Sequence, residues 1–206
     1  TRAGTVRGPC IFFKKGKINK SVSSFVLLDL GDVEIILLES YPCNSKDELE
    51  GLAKVIAKYP NLVVISDEIY EHINFAGKHA SLAQFEDIYE QVVTVNGVSK
   101  AWAMTGWRLG FIGAPKHIAD ACNKIQGQFT SGASSITQKA AVTALTTDLK
   151  HTYAMTEEFA RRRKRVMEII KDIPGFKCFE PEGAFYIFPD VPSLKILKRQ
   201  KHVFYV

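Results

Sequence analysis

The chain has 206 residues, 46% of them hydrophobic and 24% charged, with 27 Lys+Arg against 22 Asp+Glu. It is long and apolar enough to bury a core, which excludes a disordered tail or a collagen-like repeat, and its net charge of +5 is only a slight tilt toward anionic ligands. The apolar runs fall far short of the roughly 20 residues a membrane-spanning helix needs. No basic-plus-apolar signal segment opens the sequence, so the expected setting is the cytoplasm, with no membrane partner. Cys10, Cys43, Cys122 and Cys178 form neither a C-x-x-C pair nor a zinc spacing, which fits reduced thiols and no metal site.

Residues 1–44 carry few local signals. Lys14-Lys15-Gly16-Lys17 with Lys20 reads as a basic turn, and Phe25 to Leu30 and Val33 to Leu38 read as candidate strands. From Ser45 the signals agree with one another. Ser45-Lys46-Asp47-Glu48 is a capping box, and Leu49, Leu52, Val55 and Ile56 mark one face of a helix that stops before Pro60. Leu62 to Ile65 is an apolar run of strand length that ends in Asp67-Glu68 and Tyr70. Gln91 to Val95 is a second such run, ending in Asn96-Gly97-Val98-Ser99-Lys100, and Leu109 to Ile112 a third. Apolar strands separated by helical stretches predict an α/β fold with a mainly parallel sheet covered by helices on both faces. The third run follows the second too closely for a crossover helix and is expected to pair antiparallel.

Beyond Pro115 the pattern turns helical. Ile118, Ala121, Cys122 and Ile125 share one stripe, Ile136, Ala140 and Leu145 a second, and Met155, Phe159, Val166, Ile169 and Ile170 a long third ending near Pro174-Gly175. Phe176 to Phe179 and Ala184 to Phe188, around Pro181-Glu182-Gly183, read as a hairpin. The predicted organisation is a poorly matching segment 1–44, a large unit 45–150, and a small α+β unit 151–206. Arg161-Arg162-Arg163-Lys164-Arg165 lies inside the long helical stripe with Glu157, Glu158 and Glu168 nearby. It therefore reads as a solvated face and not as a nucleic-acid patch.

In open α/β sheets ligands bind beyond the carboxyl ends of the strands, where Asp67, Tyr70 and Lys100 fall. Arg108, eight residues past the lysine and between Gly106 and Gly110, adds a planar fork suited to a phosphate. A single Asp or Lys at such a place is usually a cap or a solvated charge, so the combination carries the reading.

The run Ser66-Asp67-Glu68-Ile69-Tyr70-Glu71-His72, followed by Val95-Asn96-Gly97-Val98-Ser99-Lys100-Ala101-Trp102-Ala103-Met104-Thr105-Gly106-Trp107-Arg108, resembles the core of class I pyridoxal-phosphate aminotransferases of fold type I. It is most similar to their bacterial-type aspartate aminotransferases. Thr130 to Gln138 and Pro181-Glu182-Gly183-Ala184-Phe185-Tyr186 resemble later segments of the same family, and the likeness runs from about Ser45 to Asp190. The resemblance implies that Lys100 holds pyridoxal 5'-phosphate covalently and serves as the general base. It implies that Asp67 faces the pyridine nitrogen, Tyr70 donates to the ring oxygen, Arg108 pairs with the phosphate and Asn44 reaches the ring oxygen. It further implies transamination between an amino acid and a 2-oxo acid, by a homodimer.

Parts of the family pattern are not found. Pro42-Cys43-Asn44 runs directly into Ser45 where the family carries an N-P-T-G turn, residues 1–44 hold no counterpart of its glycine-containing phosphate loop or stacking aromatic residue, and Arg199 lacks the context of its substrate-carboxylate arginine. The alternative expectation is a truncated, catalytically incomplete chain that still binds the cofactor. Lyases and synthases of the same fold use the same lysine and aspartate, so the bond that breaks is left open.

Overall fold

The computed structural model describes residues 25–29, 34–39, 45–190 and 204–205. Asn44 and Arg199 lie outside the described residues, as does the basic turn at residues 14–20.

The capping box forms as the sequence predicts. Ser45 Oγ accepts from Glu48 N at 3.3 Å, Glu48 Oε2 accepts from Ser45 N at 2.9 Å, and helix α1 (Lys46–Ile56) starts there. α1 buries Leu49, Ala53 and Ile56. Val55, expected on that face, is half-exposed, because Ala53 rather than Val55 continues the stripe from Leu49.

Five strands make one sheet in the order β1 (Phe25–Asp29), β2 (Glu34–Glu39), β3 (Leu62–Asp67), β4 (Val92–Gly97) and β5 (Gly110–Gly113). The two inner pairings, β2 with β3 and β3 with β4, are parallel. The two edge pairings, β1 with β2 and β4 with β5, are antiparallel. The antiparallel β5 follows from its short connection to β4.

Alternation along β3 buries Leu62, Val64 and Ser66 on one face and leaves Val63, Ile65 and Asp67 half-buried on the other. The buried face joins Leu38 and Val92 of its neighbours to Leu49, Ala53 and Ile56 of α1, with Leu82 and Ile88 from two 3-10 turns closing the core. Asp67 thus ends a strand on the face opposite this core.

Three helices follow β5: α2 (Lys116–Phe129), α3 (Ser135–Thr146) and α4 (Lys150–Lys171). α2 has no buried residue, and Ile125 of its expected stripe is 59% exposed. α3 is turned away from its expected face: Thr137, Ala141 and Ala144 are buried while Ile136 and Leu145 face out. Small residues let this helix approach Val98 and the turn behind it, with Trp102, Met104 and Leu109 packed alongside. Residue 150, near which a boundary is expected, is the first of α4, and α4 is tied to the segments before it. Thr152 Oγ1 donates to Ala101 O at 2.7 Å and Thr156 Oγ1 to His72 O at 2.9 Å.

The basic run on α4 is divided. Arg161 and Arg162 both pair with Glu158 and Arg165 with Glu168, all on the surface. Arg163 is not part of a solvated face: it turns inward, donates to Pro181 O at 2.6 Å and sits 4.6 Å over the Phe75 ring. The expected hairpin is reduced to a single antiparallel bridge, Lys177 with Asp190, and β6 (Tyr186–Ile187) pairs instead with β7 (Phe204–Tyr205). No helix among the described residues is long and apolar enough to cross a membrane.

Candidate active site

The parallel strands β3 and β4 end side by side, with Asp67 paired in register to Val95. Asp67 closes β3, and its Oδ1 accepts the Ile69 N–H at 3.2 Å, so the carboxylate is held by the turn that follows the strand. That turn carries Tyr70 and continues through hydrogen bonds from Glu71 N to Glu68 O and from Ile73 N to Tyr70 O.

Lys100 lies in the turn after β4, where Ala103 N donates to Lys100 O at 3.2 Å. Its Nζ is 5.6 Å from the Tyr70 ring centroid and 5.2 Å from that of Phe185, which places the amine between two aromatic rings. Among the described residues no carboxylate lies within ion-pair reach of it. Arg108 ends a 3-10 turn with φ at 52°, in the left-handed region, and its Nη1 donates to Thr105 O at 3.0 Å. Gly110 two residues later pairs with Gly97, so Lys100 and Arg108 flank the base of one connection. A Cβ on Gly97 would meet Leu109 O at 2.9 Å, and only glycine lets the two strands close there.

Backbone strain gathers around these residues. Ala103, Arg108 and Ala184 are non-glycine residues with φ of 53°, 52° and 55°, a conformation that costs about 1 to 2 kcal/mol for a residue bearing a Cβ. Ala103 closes the Lys100 turn, and Arg108 ends the 3-10 turn that follows it. The third directly precedes Phe185 and Tyr186.

The structure therefore brings Tyr70 and Lys100 together beside the strand end that carries Asp67, and sets Arg108 at the mouth of the same connection, exposed. Sequence reasoning did not assign roles to Phe185 and Tyr186, which complete this cluster from the far end of the chain. The Phe185 ring meets the Tyr70 ring edge-on at 5.3 Å, and Tyr186 Oη lies 2.6 Å from Tyr70 Oη. Their only sequence signal is membership of the Pro181 to Tyr186 segment. A second missed group stands behind Asp67. Glu68, 3% exposed, takes Ser66 Oγ and Ser81 Oγ at 3.1 and 2.8 Å and His79 Nε2 at 2.8 Å.

Glu71 accepts from His72 at 3.0 Å, and chiefly this hydrogen bond holds its carboxyl below the usual carboxylate range despite partial burial. No cluster of three or more His, Cys, Asp or Glu suited to a metal ion occurs among the described residues. A surface hollow bordered by Trp107, Ile136 and Lys139 is lined by none of Asp67, Tyr70 and Lys100.

An amine, a carboxylate and a phenol thus stand at or just beyond the carboxyl ends of two parallel strands of an α/β fold, with a guanidinium on the same connection as the amine. The family model described as aminotransferase class I and II matches residues 44–206. A bifunctional aspartate aminotransferase and glutamate/aspartate-prephenate aminotransferase of Petunia hybrida is 52% identical over 149 residues, which cover 70% of this chain and 31% of that protein. An aspartate aminotransferase of Pinus pinaster is 44% identical over 183 residues, 85% of this chain and 37% of that one. The crystal structure of the aspartate aminotransferase from Rhizobium meliloti superposes with a TM-score of 0.73 at 38% identity, covering 76% of this chain and 41% of that chain. The chain belongs to the aminotransferase class I and II family. It spans about two fifths or less of the length of these relatives.

Proposed function

We propose that this chain binds pyridoxal 5'-phosphate through Lys100 and carries the core of an aspartate aminotransferase-like site, exchanging an amino group between an amino acid and a 2-oxo acid. The family is pyridoxal-phosphate-dependent. The observation that carries the reading is the Lys100 amine lying between the Tyr70 and Phe185 rings, beside the strand end that holds Asp67. This donor set fits the group: an amine for its aldehyde, a carboxylate for its ring nitrogen, a phenol for its ring oxygen and a guanidinium for its phosphate.

When bound, pyridoxal phosphate supplies an electron sink for the pair left behind as a proton leaves the substrate carbon. Lys100 Nζ takes that proton and returns it, and its aromatic neighbours limit the water that could compete for it. Asp67, fixed by the Ile69 N–H, keeps a negative charge where a protonated ring nitrogen would sit. Tyr70 would offer its O–H as a hydrogen-bond donor to the ring oxygen of the bound group. Arg108 would hold the phosphate, and Asn44, which lies outside the described residues, keeps the ring-oxygen role that the family resemblance implies.

A two-unit organisation, 45–150 and 151–206, goes with this reading, since Phe185 and Tyr186 of the second unit reach the Tyr70 of the first. So does a homodimer: Phe129, Ile136 and Val142 of α2 and α3 are 83%, 73% and 61% exposed, an apolar surface that a second subunit would cover. A cytoplasmic setting agrees with the free thiols of Cys122 and Cys178.

The test is to add pyridoxal phosphate to the chain, remove the excess and record the visible spectrum, then supply amino-acid donors with a 2-oxo acid. A bound-cofactor band that Lys100→Ala abolishes is expected, followed by keto-acid formation. A band without turnover would leave a cofactor-binding chain, and the same band in Lys100→Ala would refute the assignment.

A further inference from the structure

Tyr186 stands 116 residues from Tyr70 in sequence, yet their hydroxyl oxygens are 2.6 Å apart. The rings meet edge to face at 5.7 Å and 81°, so the contact is made at their polar tips. Both side chains are half-buried, where a hydrogen bond is stronger than in water. The backbone that delivers Tyr186 is held from both sides. Ala184 N donates to Ile73 O at 2.7 Å, Gly183 bridges Asn74, and Tyr186 itself pairs with Tyr205. The left-handed φ of Ala184 turns the chain immediately before it, a strain that the surrounding hydrogen bonds sustain.

A phenol has one proton to give and lone pairs to accept with. When Tyr186 gives its proton to Tyr70 Oη, the Tyr70 proton is directed to a different acceptor. The accepted hydrogen bond also polarises the Tyr70 O–H and makes it a better donor.

We infer that Tyr186 is a positioning residue for Tyr70: its hydroxyl donates to Tyr70 Oη and so aims the Tyr70 O–H at the ring oxygen of a pyridoxal phosphate held at Lys100. The inference rests on the proposed function above and adds to it a device by which the segment after α4 tunes a donor on the sheet side of the site.

The experiment uses the 206-residue chain loaded with pyridoxal phosphate and follows the pH midpoint of its visible absorbance. A donor on the ring oxygen stabilises negative charge there, so losing that donor makes the neighbouring proton harder to remove and moves the midpoint to higher pH. Tyr70→Phe is expected to give the full upward shift, and Tyr186→Phe an upward shift of about 0.4 to 1 pH unit. The double variant should match Tyr70→Phe alone. If Tyr70→Phe moves the midpoint and Tyr186→Phe does not, or if the two shifts add, Tyr186 does not act through Tyr70 and the inference is overturned while the site assignment stands.

If parent and Lys100→Ala give the same spectrum, the site assignment fails, and the inference fails with it as a statement about the cofactor. A second measurement is independent of loading. The Tyr70 phenol, isolated as the ultraviolet titration difference between the parent and Tyr70→Phe, should ionise at higher pH once Tyr186→Phe is introduced, because the lost donor no longer stabilises the phenolate. An unchanged midpoint, in variants whose far-ultraviolet circular dichroism matches the parent, would overturn the hydroxyl contact itself.

Discussion

His79 Nε2 lies 2.8 Å from Glu68 Oε2, one residue along the chain from Asp67. Two serine hydroxyls, from Ser66 and Ser81, converge on the other oxygen of the same carboxylate. The strand end that carries Asp67 is therefore fastened from inside the protein, and the loop reaching Ser81 is drawn back against β3.

Glu68→Ala removes the one acceptor that these donors, buried Ser66 and half-buried Ser81 and His79, share. Leaving Ser66, Ser81 and His79 without it is expected to cost about 3 kcal/mol of folding stability, and Glu68→Gln, which keeps the shape, about half of that. Urea unfolding checks both. A Glu68→Ala variant within about 0.5 kcal/mol of the parent, the range of an ordinary surface substitution, would show that the network contributes little.

Gly97→Ala places a methyl 2.9 Å from Leu109 O and 3.0 Å from Gly110 Cα, backbone atoms that have little room to retreat. The strands β4 and β5 must part, at an expected cost of about 1 to 3 kcal/mol. Because Lys100 and Arg108 stand on the connection between those strands, cofactor uptake should weaken along with the thermal midpoint. Unaltered stability and uptake would contradict the close approach.

Thr152 is 3% exposed and spends its hydroxyl proton on Ala101 O, the carbonyl next to Lys100. Thr152→Val keeps the shape and strands that carbonyl, with an expected loss of about 1 to 2 kcal/mol. Thr152→Ser, which retains the hydroxyl, should recover the hydrogen-bond part of the loss. No loss in Thr152→Val, with the loss confined to Thr152→Ser, would point to packing of the methyl group as the whole effect.

Glu71 has a folded-state carboxyl held below the usual range, first by its hydrogen bond with His72. A carboxylate depressed in this way stabilises the fold above its unfolded pKa of about 4.3, and that contribution disappears as pH falls through the lower folded value. Glu71→Gln should therefore flatten the acid side of the stability curve below about pH 5. The check is urea midpoints measured from neutral pH downward. Parallel curves for parent and variant would remove Glu71 from the account.

The parts of the fold that local chemistry controls could be read directly. Ser45 and Glu48 form the predicted reciprocal cap, and the apolar runs ending at Asp67 and before Lys100 become neighbouring parallel strands. Chemistry-bearing residues at strand ends follow from the run lengths, because a strand places its last residue at the sheet edge. Long-range choices left no local mark. On α3, helical spacing put Ile136 and Leu145 on the expected apolar stripe, but the smaller Thr137, Ala141 and Ala144 are buried because they allow closer approach.

Arg163 illustrates the same limit from the charged side. Its neighbours Arg161 and Arg162 meet Glu158, holding that exposed carboxyl down to about 2 chiefly through the hydrogen bond from Arg161. Arg163 instead anchors the Pro181 turn, although nothing in the run of basic residues distinguishes it. The meeting of Tyr70 with Phe185 and Tyr186 is likewise a product of tertiary docking. Neither residue's local pattern points to the other.

The central claim is that Lys100 is the cofactor-bearing amine, and borohydride reduction of the pyridoxal-phosphate-treated chain followed by peptide mass mapping tests it most directly. The account predicts a single stable adduct on the peptide containing Lys100, lost in Lys100→Ala with the fold intact. Adducts spread over surface lysines such as Lys116 and Lys54, and unchanged by Lys100→Ala, would contradict it.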